Sequence, residues 1–567
     1  MGIPLPAASF VPVATHRVAA PTVVWVNTAC FTAQRAIDNA FCMRQPYETA
    51  AMFEVEERIQ FADRYGGHGI GDMGGSARCA TFGDVQVKGV GGTPLLGPKA
   101  DRFHVSGTVT LTEAAREVIW SEILPVVLPF GVVPALAIVL TKGVFFVPLP
   151  NGLELPCQRT LLMRQFALRP AHYMRNTMSR MPIARNTGSD GLSGDARLAK
   201  NAISMLDAGL EQAFGTQLGD TTGIERINLG LRLMVQRFGI QLAAGFAKRI
   251  FHGALSCSNI ALDGRFLDFG VITFVKSYRR RAWAKAWPDQ WTQQSALIRT
   301  ISYLRFHLQK YYSGADASAL VSEAELVGEF QAALAIRLEV DMLKMTGVPG
   351  TVVEACQPAE RQRLLRCLRT IYMRGAGEAF ISWHAETETA GENPPPARGG
   401  RYDLNAILAL ASCCEDAALD GALAALLDDV TLRTQFIDAY TGLRQLFMAR
   451  FETGAHRAAL VFVALQANRL NADLEFLARE LLDQQLAPYD AEPDDVGAYI
   501  AEAISKGRYF LQDEHPDLPG SGAEAHVDAL LSMGSQLQAF AMRCMHKAGA
   551  GSMALAALRT LLEPDGA

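Results

Sequence analysis

The residues with the clearest chemical meaning lie between positions 252 and 270 of the 567-residue chain. The string His252-Gly-Ala-Leu-Ser-Cys-Ser-Asn259 is followed, nine residues after the asparagine, by Asp268-Phe-Gly270. An amide oxygen and a carboxylate are hard oxygen ligands, which suit Mg²⁺ and Mn²⁺. The spacing therefore indicates a site for a divalent metal of the kind that accompanies phosphate chemistry.

The same spacing occurs in kinase catalytic loops, where histidine and asparagine lie seven positions apart and the aspartate of an Asp-Phe-Gly string also binds the metal. Such sites need a strand lysine that holds phosphates and a helix glutamate that orients it. Lys88 ends the β-prone string Val85-Gln-Val-Lys88 and is the candidate lysine. Glu117 is the candidate glutamate, with Glu122 as the alternative.

Three glycines, Gly89, Gly91 and Gly92, follow the lysine, and their missing side chains would let backbone approach a phosphate. One catalytic part is absent. The third position of the loop, where a kinase has the aspartate that accepts the substrate proton, is Ala254. Ordinary protein-kinase or aminoglycoside-kinase activity is therefore not expected.

The elements that must position these residues are a strand-rich segment and a long helical one. Residues 64–150 are glycine-rich with short β-prone strings around one helical stretch, which opens with a capping-box pattern from Thr110 to Glu113. Helical periodicity dominates from about residue 283 onward, interrupted by the proline-rich linker 391–401. We predict an α+β, bilobal kinase-like fold with an additional α-helical C-terminal region. The predicted units are an N-terminal segment (1–60), a small β-rich N-lobe (61–155), a helical C-lobe with an extension (156–390) and a helical domain (402–567).

Composition narrows the possible partners. The formal net charge is −5, so no general polyanion-binding surface is expected, and the basic cluster 278–281 is interpreted as a solvated face rather than a nucleic-acid site. Ten cysteines without a CxxC motif predict reduced, mostly buried thiols and a cytoplasmic protein. The apolar run from Ile123 to Leu140 contains three prolines and is interpreted as a buried helix end followed by a strand, not as a membrane span.

In combination, these residues resemble the selenoprotein O family, kinase-like proteins that transfer AMP rather than phosphate to protein side chains. The family has a Gly-His-Gln-Phe-Gly string and then a lysine in Leu-Lys-Gly-Ala-Gly-x-Thr-Pro. Here Gly67-His-Gly-Ile-Gly71 and Val87-Lys-Gly-Val-Gly-Gly-Thr-Pro94 are similar. The family's Arg-Glu helix matches Arg116-Glu117, and its Gly-Phe-x-His-Gly…Asp-Asn…Asp-Tyr-Gly signature is similar to the string from His252 to Gly270. The resemblance covers residues 60 to 300.

The resemblance implies that ATP binds in a flipped orientation, with the α-phosphate open to attack and pyrophosphate as the leaving group. It also implies roles for individual residues. Lys88 would hold phosphates with Glu117 orienting it, and Asn259 and Asp268 would bind Mg²⁺ or Mn²⁺. Arg164 and Arg169 would contact phosphates or flank the nucleotide, and Arg78 would take the part of the family's glycine-rich-loop arginine.

The sequence also departs from the family. The family's proposed base, the aspartate just before the metal-binding asparagine, is Ser258 here, and no family signature follows residue 330. We therefore expect an ATP- and metal-dependent transferase that moves AMP to a hydroxyl acceptor on protein or peptide. One alternative is a catalytically impaired, nucleotide-binding module whose helical C-terminal region recruits a partner. Another is an ATP-dependent tailoring enzyme of a peptide or small-molecule pathway.

Overall fold

A computed structural model describes the chain at residues 2–67, 74–97, 106–148, 154–175, 192–275, 290–314, 316–376, 402–451 and 456–513. Within these ranges the protein is a mixed α+β structure, with a large antiparallel sheet in the N-terminal part and helices after it. This confirms the coarse fold class predicted from the sequence. His68, the basic cluster 278–281 and the linker 391–401 lie outside the described residues.

The strands are β1 (Phe10–Val18), β2 (Thr22–Val26), β3 (Phe41–Cys42), β4 (Phe53–Asp63), β5 (Cys79–Phe82), β6 (Val85–Lys88), β7 (Ala135–Pro148), β8 (Glu154–Gln165), β9 (Ile250–Phe251) and β10 (Thr273–Phe274). The first eight form one sheet in the order β2-β7-β8-β6-β5-β4-β1-β3, and neighbouring strands are antiparallel. Strands β9 and β10 pair separately. The β6 strand, which ends at Lys88, thus lies inside the sheet between β5 and β8.

The sheet extends over more of the chain than the predicted N-lobe. Residues 1–60 contribute β1, β2, β3 and most of β4, so they are part of the sheet rather than a segment packed on it. Strand β8 runs across the predicted boundary at residues 155–156 because it pairs with β6 and β7. The sheet region therefore ends at Gln165.

The α-helices of the described residues are α1 (Ala33–Asp38), α2 (Leu111–Ile123), α3 (Leu192–Ile203), α4 (Leu206–Phe214), α5 (Gly223–Ala247), α6 (Gln290–Tyr311), α7 (Glu323–Lys344), α8 (Gly350–Ala355), α9 (Pro358–Ala376), α10 (Leu404–Cys413), α11 (Leu419–Leu423), α12 (Val430–Met448), α13 (His456–Leu470), α14 (Arg479–Leu486) and α15 (Val496–Leu511). Helices α5 and α7 pack along each other. One continuous apolar core runs from α2 through this pair to the C-terminal helices.

Helix α2 is buried on nearly every side. Its apolar residues Leu111, Val118 and Ile123 are fully buried. The sheet, through β7 and β8, covers one side of the helix, and α14 and α15 cover another. A surface helix has one apolar stripe and a polar face, so burial all round marks α2 as an interior helix.

The N-terminus of α2 departs from the predicted capping box. Thr110 caps the helix as expected, since its hydroxyl oxygen accepts a hydrogen bond from Glu113 N at 3.1 Å. The carboxylate of Glu113 does not return the bond to the backbone of Thr110. It pairs instead with Arg78 and Lys88. Contacts with two cations stabilise a carboxylate more strongly than a hydrogen bond from one backbone amide does.

The apolar run from Ile123 to Leu140 forms the end of α2, a short 3₁₀ turn and the start of β7, as predicted. Among the described residues, no helix is long and apolar enough to cross a membrane. The nine cysteines within the described ranges are free thiols, and all of them except Cys30 are buried. The expectation of mostly buried thiols is thereby confirmed for this part of the chain.

Candidate functional site

The ammonium group of Lys88 is the centre of the candidate site. It is buried at the end of β6 and donates to Glu117 Oε1 and to Asp268 Oδ1 at 2.9 Å. It also forms an ion pair with Glu113, whose Oε1 lies 3.1 Å from Lys88 Nζ. Glu113 and Glu117 lie one turn apart on α2, and Asp268 comes from the loop before β10. The structure therefore brings together three residues predicted for one site, Lys88, Glu117 and Asp268.

The charges of this cluster are unevenly matched. Burial alone would lower the pKa of Lys88, but Asp268 and Glu117 outweigh it and raise that pKa above its usual value. Burial opposes ionisation of Asp268, yet Lys88 and Arg164 hold its pKa well below the usual range. Burial raises the pKa of Glu117, and Asp268 adds to the rise against the pull of Lys88. Because one ammonium group is shared among three carboxylates, the negative charge of Glu117 is the least well neutralised of the three.

Glu122, the alternative glutamate, lies away from the cluster. Its carboxylate accepts from Arg508 Nη2 at 2.5 Å and from Asn27 Nδ2 at 2.8 Å. Of the two candidate glutamates, Glu117 is therefore the one that contacts Lys88.

Glu113 is a residue of the site that the sequence analysis missed. Its carboxylate forms a two-bonded pair with Arg78, at 2.6 Å and 3.1 Å, and also contacts Lys88. Burial opposes ionisation, but Arg78 and Lys88 hold the pKa of Glu113 below its usual value. The capping-box pattern concealed this role, since it offered a local explanation for a glutamate at that position. Arg78 thus lies in the site, as predicted, but it is bound to Glu113, which was not predicted to belong to the site.

The two predicted arginines meet on one side chain that the sequence analysis did not select. Gln86 Oε1 accepts from Arg164 Nε at 2.8 Å and from Arg169 Nη2 at 3.1 Å. Both arginines are buried, and Arg164 Nη1 and Arg169 Nε have no hydrogen-bond partner among the described residues. Two buried guanidinium groups that share one neutral acceptor concentrate positive charge at Gln86.

Behind Gln86 lies a buried acid–histidine pair. Gln86 Nε2 donates to Asp63 Oδ1 at 3.0 Å, and Asp63 Oδ2 is 2.9 Å from His172 Nε2. His172 Nδ1 accepts from the backbone N–H of Arg169 at 3.0 Å, so Nε2 carries the proton and donates it to Asp63. Burial lowers the pKa of His172, which keeps the ring neutral. The ionised Asp63 accepts from Gln86 Nε2 and so sets the orientation of the amide. The oxygen Oε1 of Gln86 therefore faces the two arginines.

The metal candidates lie on a tight hairpin. Ile260 bridges Phe266, and Leu267 N donates to Asn259 O at 3.2 Å, so Asn259 lies across from the residue before Asp268. Asn259 Nδ2 donates to Ala254 O at 2.8 Å. That bond leaves the amide oxygen with only a 3.5 Å contact from Ser258 Oγ among the described residues. An oxygen so oriented is available to a cation.

Asp268 is held in a costly backbone conformation. Its φ is +66°, in the left-handed region that non-glycine residues avoid. Its side chain is 32% exposed, although the neighbouring Lys88 is buried. Backbone strain of this kind is found preferentially at functional sites, where it holds a side chain in one direction.

His252 acts as a structural support for this hairpin. Its Nε2 lies 3.0 Å from Leu267 O, and its ring packs against Phe266 and Phe269. Burial lowers the pKa of His252 to about 4, so the ring is neutral at pH 7. It ties the loop that carries Asn259 to Leu267, the residue before Asp268.

The positions where a catalytic base was sought hold no carboxylate. Ala254 is exposed, and Ser258 is buried with its hydroxyl 3.0 Å from Ser256 Oγ. The backbone oxygen of Ser258 accepts from Arg169 Nη1 at 3.1 Å. A serine hydroxyl is not a strong base at neutral pH, so Ser258 is no chemical equivalent of a carboxylate at this position.

The glycines after Lys88 serve the fold. Gly89 and Gly91 have φ of +97° and +112°. A Cβ on Gly89 would lie 2.5 Å from Thr160 O, and one on Gly91 would lie 2.7 Å from Gln45 Nε2. The positive φ of both residues and the contact of Gly89 with Thr160 O already favour glycine here. The predicted approach of their backbone to a phosphate stays a prediction. Gly92 is half-buried beside them.

Among the described residues, no three His, Cys, Asp or Glu side chains form a ready-made metal site. No protein-family profile matches the chain, and no curated protein matches its sequence. The resemblance to selenoprotein O therefore stays a prediction that rests on the motif residues themselves.

Proposed function

We propose that the protein is an ATP- and metal-dependent transferase with a kinase-like fold, of the selenoprotein O type, which moves AMP from ATP to a hydroxyl group of a protein or peptide. The observation that carries the proposal is the convergence of Lys88 with Glu117 and Asp268, which are 29 and 180 residues away in the chain. A fold by itself has no need of a buried lysine among carboxylates, because apolar residues of similar volume are usually at least as stable.

The arginines support binding of a polyphosphate. Arg164 and Arg169 are buried side by side on Gln86, and each has a spare N–H group. A guanidinium matches the geometry of phosphate oxygens and keeps its charge at every physiological pH. Lys88 is also a cation, because Asp268 and Glu117 raise its pKa. Three buried cations would therefore contact the phosphates of ATP.

Asn259 and Asp268 would hold Mg²⁺ or Mn²⁺, which supplies charge neutralisation on the phosphates when bound. Magnesium is typically held by one or two protein oxygens together with substrate phosphates and water. A site with two protein ligands fits this mode of binding.

In the proposed reaction, an acceptor hydroxyl oxygen forms a bond to the α-phosphorus while the bond from that phosphorus to the bridging oxygen of pyrophosphate breaks. Pyrophosphate leaves, and the hydroxyl proton passes to solvent or to the leaving group. The chain's contribution is to hold the phosphates with Lys88, Arg164 and Arg169 and to exclude water around them. The absence of a carboxylate base at Ala254 and Ser258 costs about 10²–10⁴ in rate relative to a site that has one.

A second candidate function is a nucleotide-binding module without transferase activity. The specific observation in its favour is that Ala254 and Ser258 occupy the two base positions, although the candidate lysine and metal ligands are retained. A third, the tailoring of a small molecule or peptide, uses the same chemistry with a different acceptor.

The experiment that separates these functions is a two-label transfer assay. The purified protein is incubated with Mg²⁺ or Mn²⁺ and with ATP labelled at either the α- or the γ-phosphate. Label from the α-phosphate on protein, with pyrophosphate released, is the expected result. Transfer of the γ-label alone would make the protein a kinase, and binding of ATP without transfer would favour the binding module.

A further inference from the structure

The C-terminal helices contact α2 at both ends and in the middle. At its N-terminus, Asp490 accepts from Thr112 N at 3.0 Å and from Thr112 Oγ1 at 2.7 Å. At its C-terminus, Arg508 donates to the carboxylate of Glu122 at 2.5 Å and to its backbone oxygen at 2.7 Å. An anion at the N-terminus and a cation at the C-terminus of a helix both match the helix dipole.

The middle contact reaches the candidate site. Arg116, which precedes Glu117, pairs with Asp483 of α14 through one terminal nitrogen. Its other terminal nitrogen donates to Gly270 O at 2.6 Å, two residues after Asp268. One guanidinium therefore joins the helix that carries Glu117, the loop that carries Asp268 and the C-terminal region. Burial lowers the pKa of Arg116 to about 10, so the group remains a cation at pH 7.

Helix α15 leaves little space beside α2. A Cβ on Gly507 would lie 2.2 Å from Ile123 Cδ1, so any larger residue at this position would force the side chain of Ile123 to move. The contacts span the whole length of α2, and such a helix cannot shift or turn without breaking several of them. Glu117, whose carboxylate bonds only to Lys88 among the described residues, depends on that placement.

We propose that residues 479–511 are a positioning element for the candidate site, and that Asp483, acting through Arg116, is the positioning residue that sets Glu117 against Lys88 and Asp268. This gives residues 479–511 a function in the site through their contacts with α2. The inference rests on the proposed function in so far as the Lys88 cluster is the nucleotide site.

The test compares the full-length protein with its Asp483→Ala and Asp483→Glu variants in two measurements. Hydrogen–deuterium exchange of peptides spanning residues 111–123 reports the placement of α2, with no nucleotide present. Calorimetric titration with MgATP reports the site. We expect Asp483→Ala to speed exchange in α2 and to weaken MgATP binding about tenfold, a common size for coupling between sites. Asp483→Glu, which keeps the carboxylate, should have an exchange rate in α2 and an affinity for MgATP close to those of the wild type.

The chain offers a matched control in the same region. Asp416, with a 48% exposed side chain, pairs with the buried Arg444, which also donates to Cys414 O at 2.7 Å. This ion pair has the same construction as the one between Asp483 and Arg116 but does not contact α2. Asp416→Ala should leave exchange in α2 and MgATP affinity unchanged, whatever it does to overall stability.

Each outcome has a separate meaning. Unchanged exchange in α2 for Asp483→Ala, or an equal change for Asp416→Ala, would overturn the inference. Faster exchange in α2 in a protein that binds no MgATP even as wild type would support the positioning role and refute the proposed function. If Asp483→Ala does not fold, Asp490→Asn, which removes the carboxylate at the helix N-terminus, takes its place with the same expectations.

Discussion

Replacing Lys88 by methionine should leave one buried carboxylate without a partner. Glu113 keeps Arg78, and the side chain of Asp268 is 32% exposed and can be hydrated. The side chain of Glu117 is 4% exposed and bonds only to Lys88 among the described residues. Removing one partner of a buried ion pair costs about 3–5 kcal/mol, so we expect a loss of that order in the free energy of unfolding of Lys88→Met at neutral pH.

The loss should depend on pH in a defined direction. In the wild type, burial already raises the pKa of Glu117, and Lys88 is the group that opposes the rise. Without Lys88 the folded-state pKa lies further above the unfolded one, so the folded protein takes up a proton. A raised folded-state pKa contributes stability below the unfolded pKa that is lost as the pH rises through the folded pKa. Lys88→Met should therefore be closer to wild type at pH 5 than at pH 8.

Urea denaturation of the single and double variants measures the coupling. Glu117→Gln removes the stranded charge, so Lys88→Met/Glu117→Gln should be more stable than the sum of the two single losses predicts, by about 1–3 kcal/mol. Glu122→Gln, whose partner is Arg508, should combine additively with Lys88→Met. Additivity for Glu117, or a loss that does not change with pH, would refute the geometry on which the site is built.

Three further outcomes are expected. Asp268→Ala should abolish the dependence of nucleotide binding on Mg²⁺ in calorimetric titrations, and unchanged metal dependence would remove the metal site. Gln86→Leu should weaken MgATP binding about tenfold, because Arg164 and Arg169 lose the acceptor that aligns them. The dependence of binding on the metal should be unchanged. An affinity equal to that of the wild type would mean that Gln86 does not position the two arginines. Ser258→Asp should raise the rate of α-label transfer by about 10–10², since it returns a carboxylate to the family's base position; an unchanged rate would show that proton removal does not limit transfer.

Motif type and spacing predicted three of the residues that converge in the site. Lys88, Glu117 and Asp268 were recognisable because each has its own local signal: a strand end, a helix and a short string with the metal-ligand order. Local signals do not say which side chains meet. Glu113 shows the difficulty, since its position in a capping-box pattern was a sufficient local explanation for a role that tertiary contact with Arg78 overrides.

Other parts of the site had no signal in the sequence. Gln86 sits between two valines in a strand, and only the pairing of β6 with β8 shows that it faces Arg164. The pairing of Arg116 with Asp483 joins residues 367 positions apart, which no periodicity or spacing reveals. The extent of the sheet was missed for the same reason, because strands of residues 1–60 find their partners only in the folded chain.

The contacts on α2 also have a consequence for the order of events during synthesis. Arg508 is 386 residues further along the chain than its partner Glu122. At about 5–20 residues per second, the ribosome needs roughly 20–80 s to add those residues after α2 has been made. During that interval the strands and the lysine exist, but the helices that hold α2 do not. A nascent chain therefore lacks the contacts that set the position of Glu117 until the residues of α15 have been made.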